Sequence, residues 1–288
     1  MNQQWIQDAL LIVLKAAAAL IVVLAAGTYF WNKYQSENQY AYENPYCNIA
    51  VIPIEGGIST VPDGWMFSVG ADKVLADLRA AESDPYTEGI LIRIDSPGGT
   101  PVASEMIADA IRRSQKPVAA LIREIGTSGA YWIASGADTI IASPDSTVGS
   151  IGVTSSYVET AGQLKNEGKR YVELTSAPYK DVGNPDRPLS DAEKKMILKD
   201  LEISHQNFVA QVARNRSLSV DAVSAIADGS TFLGEKAKQL GLVDTLGDQE
   251  TARAWFDEKI ENDVDFCEPP PLLPPPPPTP SQNTQIQG

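Results

Sequence analysis

Residues 89–99 read GILIRIDSPGG, an apolar run that leads into a Pro-Gly-Gly turn. Consecutive Ile and Leu residues without polar alternation are typical of a strand that is buried on both faces, as in a parallel sheet between helices. The turn from Asp95 to Gly99 therefore lies at the carboxyl end of a strand, where α/β sheets place their sites. Its paired glycines leave backbone N–H groups unshielded, although the turn alone favours an ordinary Pro-Gly loop.

The same kind of strand recurs along the chain, with helical segments between several of the strands. Strands are predicted at 48–56, 89–99, 117–124, 139–143 and 169–176. Apolar residues at helical spacing predict helices at 71–82 and 104–114. Apolar strands that alternate with helices predict an α/β domain with a largely parallel sheet, covered on both faces.

After residue 190 the pattern becomes helical. Ser190 and Glu193 form the capping-box pattern Ser-x-x-Glu, which marks the start of a helix. An apolar stripe follows at Ile197, Leu201, Phe208 and Val212. Shorter helices are predicted near 219–227 and 234–240, so we expect a helical C-terminal part.

Charge and cysteine content exclude some classes of function. The 288 residues carry a net charge of −14, which argues against a nucleic-acid partner, because phosphate binding needs a basic face. Cys47 and Cys267 have no metal-ligand spacing, so a structural zinc site is not expected. The two cysteines form a disulfide if the domain lies outside the cytoplasm, or they remain two unpaired thiols; the sequence does not decide between these alternatives.

The N-terminal stretch 9–31 contains about the ~20 apolar residues that a helix needs to cross a bilayer. Lys15 lies near its start, where a long side chain reaches the interface, and Tyr29 to Trp31 end it with an aromatic belt. A cleaved signal peptide is the alternative, but the run is longer than a usual signal-peptide core. We expect an uncleaved anchor with the folded domain outside the cytoplasm.

Composition divides the chain into five predicted parts. They are a short cytoplasmic tail (1–9), a transmembrane anchor (10–31), a polar tether (32–47), a globular domain (48–260) and an acidic, Pro-rich disordered tail (261–288). The tail contains PPPLLPPPPPTP, which forms extended polyproline or a spacer and cannot build a core.

The stretch 123–138, REIGTSGAYWIASGAD, raises the question of a nucleophile. Gly126 and Gly129 flank Ser128 and allow a sharp turn from a strand into a helix. Free N–H groups at such a helix start could hold an oxyanion during acyl transfer. A serine in this position is more often a helix cap, so the stretch alone leaves both interpretations open.

A nucleophilic serine needs a base, and the chain has one histidine. A triad of Ser128 with Asp181 or Asp186 and His205 has the chain order of an α/β-hydrolase, but GTSGA lacks the second glycine of G-x-S-x-G. His205 falls on the long helix, which favours a partly buried or surface histidine. Lys180, in a loop rich in Pro and Gly, is the other candidate, although a lone loop lysine is ordinarily solvated.

Four motifs in order carry a stronger signal than any one of them. DSPGG, GTSGAYWIASGAD, TVGSIGV (147–153) and PYKD together resemble the signal peptide peptidase A family of membrane serine proteases, in its short, single-unit form. The resemblance covers roughly residues 48–250 and includes a closing segment at 227–247. It implies the Clp protease/crotonase-like fold, built from stacked β-β-α units, for the domain at 48–260.

The resemblance also implies a Ser/Lys dyad. Ser128 matches the nucleophile, Lys180 the general base, and Ser150 a serine that orients the lysine amine. The backbone N–H groups of Gly99 and Gly129 match the oxyanion hole. The family needs no metal or cofactor for this chemistry.

What the family does gives further expectations. Its members hydrolyse released signal peptides at the membrane, so we expect peptide substrates, a single-pass inner-membrane protein and a catalytic domain on the extracytoplasmic side. The short members form rings in which neighbouring subunits share each site, so we expect a homo-oligomer, such as an octamer. Walls near Trp132 and Ile133 are candidates for side-chain pockets. Thr127 before the nucleophile and the Pro-rich tail depart from the family pattern.

Two other functions remain as alternatives. The first is a membrane protease that is specific for one membrane-protein substrate. The second is an inactive ring-forming scaffold that recruits partners through its Pro-rich tail. The complete set of Ser128, Lys180 and Ser150 argues against the scaffold.

Overall fold

The computed structural model describes residues 15, 18, 20, 25–29, 47–61 and 68–268. The chain divides into two units, residues 42–267 and the terminal residues 1–41 with 268–288. Residues 15, 18, 20 and 25–29 of the terminal unit are helical. Most of the predicted anchor, tether and Pro-rich tail lies outside the described residues. Among the residues that are described, no helix combines the length and the apolar character needed to cross a membrane.

Strands and helices alternate through the first half of the unit at 42–267. The strands are β1 (Ile49–Ser59), β2 (Ser68–Gly70), β3 (Gly89–Gly99), β4 (Val118–Thr127), β5 (Thr139–Ala142), β6 (Thr147–Gly149), β7 (Thr231–Leu233), β8 (Thr245–Leu246) and β9 (Phe266–Cys267). The helices are α1 (Ala71–Ser83), α2 (Pro101–Arg112), α3 (Gly129–Ser135), α4 (Ala161–Asn166), α5 (Asp191–Asn215), α6 (Val220–Ser224), α7 (Gly234–Gln239) and α8 (Gln249–Asp257).

One sheet organises the domain, with the strand order β2-β1-β3-β4-β5-β8 and parallel pairing along this path. The apolar run in β3 is buried on both faces, because Ile90, Ile92 and Ile94 join the larger core while Leu91 joins a second core on the other face. The second core contains Phe256 of α8. The prediction of an α/β domain whose parallel sheet is covered on both faces is therefore confirmed.

Most of the predicted elements are present, but the strand predicted at 169–176 is wrong. The segment forms no strand in the structure, and residues 172–180 are exposed throughout. Val172 is 56% and Leu174 is 92% exposed, so the apolar side of its alternating pattern does not pack on the core of this chain. A short strand that the sequence did not predict, β6, lies instead within the TVGSIGV motif and pairs with β4.

The C-terminal part follows the predicted helices, with a different boundary at its end. Helix α5 begins after Ser190, whose Oγ accepts a hydrogen bond from Glu193 N in the expected capping box. The composition predicts that the disordered tail begins at residue 261. Instead, Val264 and Phe266 are buried, and β9 pairs with β1, so the folded domain continues to Cys267. The acidic residues before Val264 obscure this last strand in the sequence.

Cys47 and Cys267 form a disulfide, which decides the alternative that the sequence left open. The bond links the residues that precede β1 and end β9, and it closes a loop with a sequence separation of 220. Cross-links that close long loops stabilise a fold chiefly by restricting the unfolded chain. The disulfide therefore fastens the last strand to the first strand of the sheet.

We expect the double substitution Cys47→Ser/Cys267→Ser to lower the free energy of unfolding by about 2–5 kcal/mol, because it releases this loop constraint. Urea unfolding of oxidised wild type and of the variant, monitored by circular dichroism, measures the difference. Wild type treated with a reductant should match the variant. Equal urea midpoints for oxidised wild type and the variant would contradict the prediction.

Candidate functional site

Ser128 lies at the sharp turn between β4 and α3. Its backbone has φ 53° and ψ −125°, a conformation that L residues rarely adopt. The turn is held on both sides, because Ser128 N–H donates to the Gly149 carbonyl of β6 at 2.7 Å, and Trp132 N–H donates to the Ser128 carbonyl at 3.0 Å. Such strain costs on the order of 1–3 kcal/mol and persists only where the surrounding structure imposes it.

The DSPGG residues form the last part of strand β3 instead of the predicted turn, and they pack directly on this serine. A β-carbon at Gly98, where φ is +103°, would lie 2.9 Å from Ser128 Cβ and 2.8 Å from Gly129 N. Thr127 Oγ1 also donates to the Pro97 carbonyl at 3.1 Å, which ties the end of β4 to the end of β3. Thr127, which departs from the family pattern, therefore has a structural role at this contact.

The backbones of Gly99 and Gly129 meet beside Ser128. The position of a β-carbon on Gly129 lies 3.1 Å from Gly99 N, and such a carbon would overlap with Ser104 Oγ. Gly129 is the first residue of α3, so its N–H group has no acceptor within the helix. The structure thus brings together the two glycines that were predicted to supply an oxyanion hole.

Ser128 and Ser150 line one cavity of about 520 Å³. Ser150 follows β6 and also has a positive φ of 53°, and its N–H donates to the Ser230 carbonyl at 2.8 Å. The opposite wall comes from α5, through residues that include Leu201 and His205. Among the described residues, His205 Nε2 is buried and has no hydrogen-bond partner.

Two parts of this cavity wall were not predicted from the sequence. Ala227, Asp228 and Gly229 belong to it, although the sequence showed them only as part of a closing segment. Leu198, Leu201 and His205 also line it, and their spacing of three and four residues marks one face of a helix.

Trp132 and Ile133, which were predicted to form walls of side-chain pockets, are not part of the Ser128 cavity. Both side chains are buried in the core, at 3% and 0% exposure. Trp132 instead stacks on Phe208 of α5 with ring centroids 4.5 Å apart. The stacked rings join α5 to α3, the helix that follows Ser128. They stabilise this packing because a Trp ring buries a large apolar area.

Lys180 lies outside this cavity. It is an exposed residue in the segment 172–180, and its side chain has no hydrogen bond to Ser128 or Ser150 among the described residues. The structure of one chain therefore brings Ser128, Ser150, Gly99 and Gly129 together but leaves the predicted base apart from them.

Asp181, the residue after Lys180, is the centre of a polar network. Its carboxylate accepts hydrogen bonds from Tyr171 Oη at 2.9 Å, Asn184 Nδ2 at 3.0 Å and Arg187 Nε at 3.1 Å. These donors lower the pKa of Asp181, with Asn184 contributing most. Arg187 also donates to both carboxylate oxygens of Glu193, at 2.6 and 3.0 Å.

The ion pair at Glu193 gives a pH dependence of stability. Hydrogen bonds from Arg187, and then from Ser190, lower the pKa of Glu193 from about 4.5 to about 2. The ionised carboxylate therefore stabilises the fold fully above about pH 4.5, and this contribution disappears as the pH falls towards about 2.

We expect Glu193→Gln to lower the thermal midpoint near neutral pH and to flatten its decline between about pH 4.5 and about pH 2, because Gln carries no charge. Thermal melts across this pH range test both effects. Glu261→Gln, at an exposed residue, serves as the control and should follow wild type. Parallel curves for wild type and Glu193→Gln would contradict the assignment.

Comparisons with known proteins identify related peptidases. Residues 110–263 match the model of peptidase family S49. The chain is 38% identical over 173 residues to putative protease MJ0651 of Methanocaldococcus jannaschii, which covers 59% of this chain and 56% of that protein. It is 39% identical over 184 residues to putative protease slr0021 of Synechocystis sp., covering 63% of this chain and 66% of that protein.

A third relative is named as a signal peptide peptidase. The chain is 30% identical over 210 residues to the putative signal peptide peptidase SppA of Enterococcus faecium, which covers 71% of this chain and 61% of that protein. The chain thus spans between about half and two thirds of the length of these relatives. The family model covers more than half of the chain and includes Ser128, Ser150 and Lys180, and this protein therefore belongs to peptidase family S49.

Proposed function

We propose that this protein is a membrane-anchored serine endopeptidase with a Ser128/Lys180 dyad, and that it hydrolyses extended, apolar peptides such as released signal peptides. The observation that carries the proposal is the turn at Ser128. A strained serine stands there beside the amides of Gly99 and Gly129 and opens into a cavity with Ser150. Strained backbone of this kind is characteristic of functional sites.

The reaction follows from these groups. The Lys180 amine takes the proton of Ser128 Oγ as that oxygen attacks the peptide carbonyl, and Ser150 orients this amine. The N–H groups of Gly99 and Gly129 stabilise the negative oxygen of the tetrahedral intermediate. The lysine ammonium then gives its proton to the leaving amine as the C–N bond breaks. Water hydrolyses the acyl-enzyme in the same way and restores Ser128.

Shared sites between neighbouring subunits are part of the proposal, because Lys180 does not reach Ser128 within one chain. The segment 172–180 exposes large apolar side chains, with Leu174 at 92%, Val172 at 56% and Tyr179 at 52% exposure. Exposed apolar clusters on a folded domain favour a protein partner. A second copy of this chain, packed on this segment, would bury them and deliver Lys180 to a neighbouring Ser128 in a ring-shaped homo-oligomer.

The location outside the cytoplasm has two lines of support. The Cys47–Cys267 disulfide suits an oxidising compartment, and the apolar stretch at 9–31 has the composition of an anchor. A protease domain held at the outer face of an inner membrane would meet apolar peptides that leave the bilayer.

We expect Ser128→Ala and Lys180→Ala each to lower kcat by at least about 10³-fold on an apolar fluorogenic peptide, because each removes one partner of the nucleophile–base pair. Oligomers assembled from a mixture of the two variants should regain activity, since some sites then combine an intact Ser128 with an intact Lys180. Steady-state hydrolysis of the separate and mixed variants measures this.

The other outcomes of this experiment are distinct. A Lys180→Ala enzyme with full activity would contradict the dyad and make His205 the candidate base, since it already lines the Ser128 cavity. A folded wild-type oligomer without activity on a broad panel of peptides would favour the scaffold. Cleavage of a single membrane protein, with no cleavage of unrelated apolar peptides, would favour the specific protease.

A substitution at Gly98 tests the contact between the end of β3 and the turn at Ser128. We expect Gly98→Ala to lower kcat/KM by more than about tenfold, because its β-carbon displaces Ser128, and small errors in position are costly in catalysis. Gly168→Ala is the matched control, since Gly168 also has a positive φ, +69°, but no atom lies within 4 Å of its added carbon. Equal losses of activity in the two variants would contradict this account.

A further inference from the structure

Lys180 extends from a segment that no apolar core supports. Residues 172–180 are all exposed, and the side chain of lysine is a flexible four-carbon stem. A general base must come within hydrogen-bond distance of the proton that it removes, and small displacements from that geometry cost large factors in rate. Some other interaction must therefore fix the backbone at residue 180.

The polar network around Asp181 supplies that interaction. Arg187 bonds Asp181 twice, from Nε to the carboxylate at 3.1 Å and from Nη2 to the backbone carbonyl at 3.0 Å. Tyr171 precedes Lys180 in the chain and Asn184 follows it, and both donate a hydrogen bond to the same carboxylate. Together these bonds fix both the side chain and the peptide group of the residue adjacent to Lys180.

Glu193 connects this network to a rigid element. Both of its carboxylate oxygens accept hydrogen bonds from Arg187, and its side chain is only 4% exposed. Glu193 also belongs to the capping box of α5, where it accepts from Ser190 N at 2.7 Å. A planar guanidinium is suited to this task, because its fixed fork of donors matches a carboxylate with two parallel bonds.

We infer that Arg187 is a positioning residue of the peptidase, which joins Asp181 to Glu193 and so holds the Lys180 backbone at a fixed place relative to α5. The inference rests on the proposed Ser128/Lys180 dyad and adds to it the device that places the base. Arg187 touches neither the substrate nor the reacting atoms in this arrangement. It acts through the peptide group next to Lys180.

The test compares kcat and KM of uniform oligomers. We expect Arg187→Met to lower kcat about 100-fold and to leave KM within about threefold of wild type, because the base is misplaced while the Ser128 cavity keeps its own wall. Arg187→Lys, which retains the charge but not the fork, should recover part of the rate. Arg214→Met is the matched control: Arg214 lies on α5, 3.2 Å from Asp109, and its side chain is 50% exposed.

A milder variant separates positioning from folding. Arg187→Met leaves the carboxylates of Glu173, Asp181 and Glu193 without their shared partner, which can itself prevent folding. Tyr171→Phe removes the hydrogen bond to Asp181 and the one from Asn184 but keeps the three ion pairs of Arg187, so we expect a kcat about three- to tenfold lower at unchanged KM. Variants that show wild-type kcat per folded molecule, with only a lower thermal midpoint, would overturn the inference.

Mixed oligomers show which subunit needs Arg187 for activity. Arg187→Met should abolish the regained activity when it is placed in the Ser128→Ala subunit, which supplies Lys180. It should have little effect in the Lys180→Ala subunit, which supplies Ser128. Equal effects of the two placements would overturn the inference, whereas activity in uniform Ser128→Ala or Lys180→Ala enzyme would overturn the proposed dyad itself. The kcat and KM of uniform Arg187 variants test the positioning role whether or not neighbouring subunits share a site.

Discussion

The close approach of the glycine-containing end of β3 to the turn at Ser128 sets the geometry of the whole site. Sheet pairing places Ser96 opposite Gly126, so the last residues of β3 lie beside the end of β4 and the turn that follows it. At Gly98 a β-carbon would lie 2.9 Å from Ser128 Cβ, and at Gly99 it would overlap with the Ile58 carbonyl oxygen. Glycine is thus required at the end of β3 so that the strained Ser128 and the backbone amides of Gly99 and Gly129 can share one small volume.

Helix α5 connects this site to the segment that carries Lys180. Near its middle, Phe208 stacks on Trp132, and residues including Leu201 and His205 face Ser128. At its start, the capping box and the Arg187 ion pair hold the Lys180 segment. One rigid helix therefore lines the Ser128 cavity at one point and binds Arg187, in the network beside Lys180, at another.

Local signals predicted the elements whose formation depends on local sequence. The buried run at 89–99 and the capping box at Ser190 both appear in the structure at the predicted place. The strand predicted at 169–176 is absent from the structure. An alternating pattern indicates an apolar and a polar face, but it does not show whether another strand lies beside the segment. The pairing of Cys47 with Cys267, across 220 residues, and the cavity wall at 227–229 depend on tertiary packing, which periodicity does not contain. For the same reason, sequence predicted that Ser128, Ser150, Gly99 and Gly129 share a site only through the order of four motifs.

The central claim is that Ser128 is a nucleophile activated by Lys180. Labelling with a fluorophosphonate, followed by peptide mass spectrometry, tests it directly, because a serine Oγ that has lost its proton displaces fluoride and keeps the phosphonyl group. The account predicts one adduct, on Ser128, in the wild-type oligomer and its loss in Lys180→Ala. An adduct on another residue, or equal labelling of Ser128 without Lys180, would contradict it.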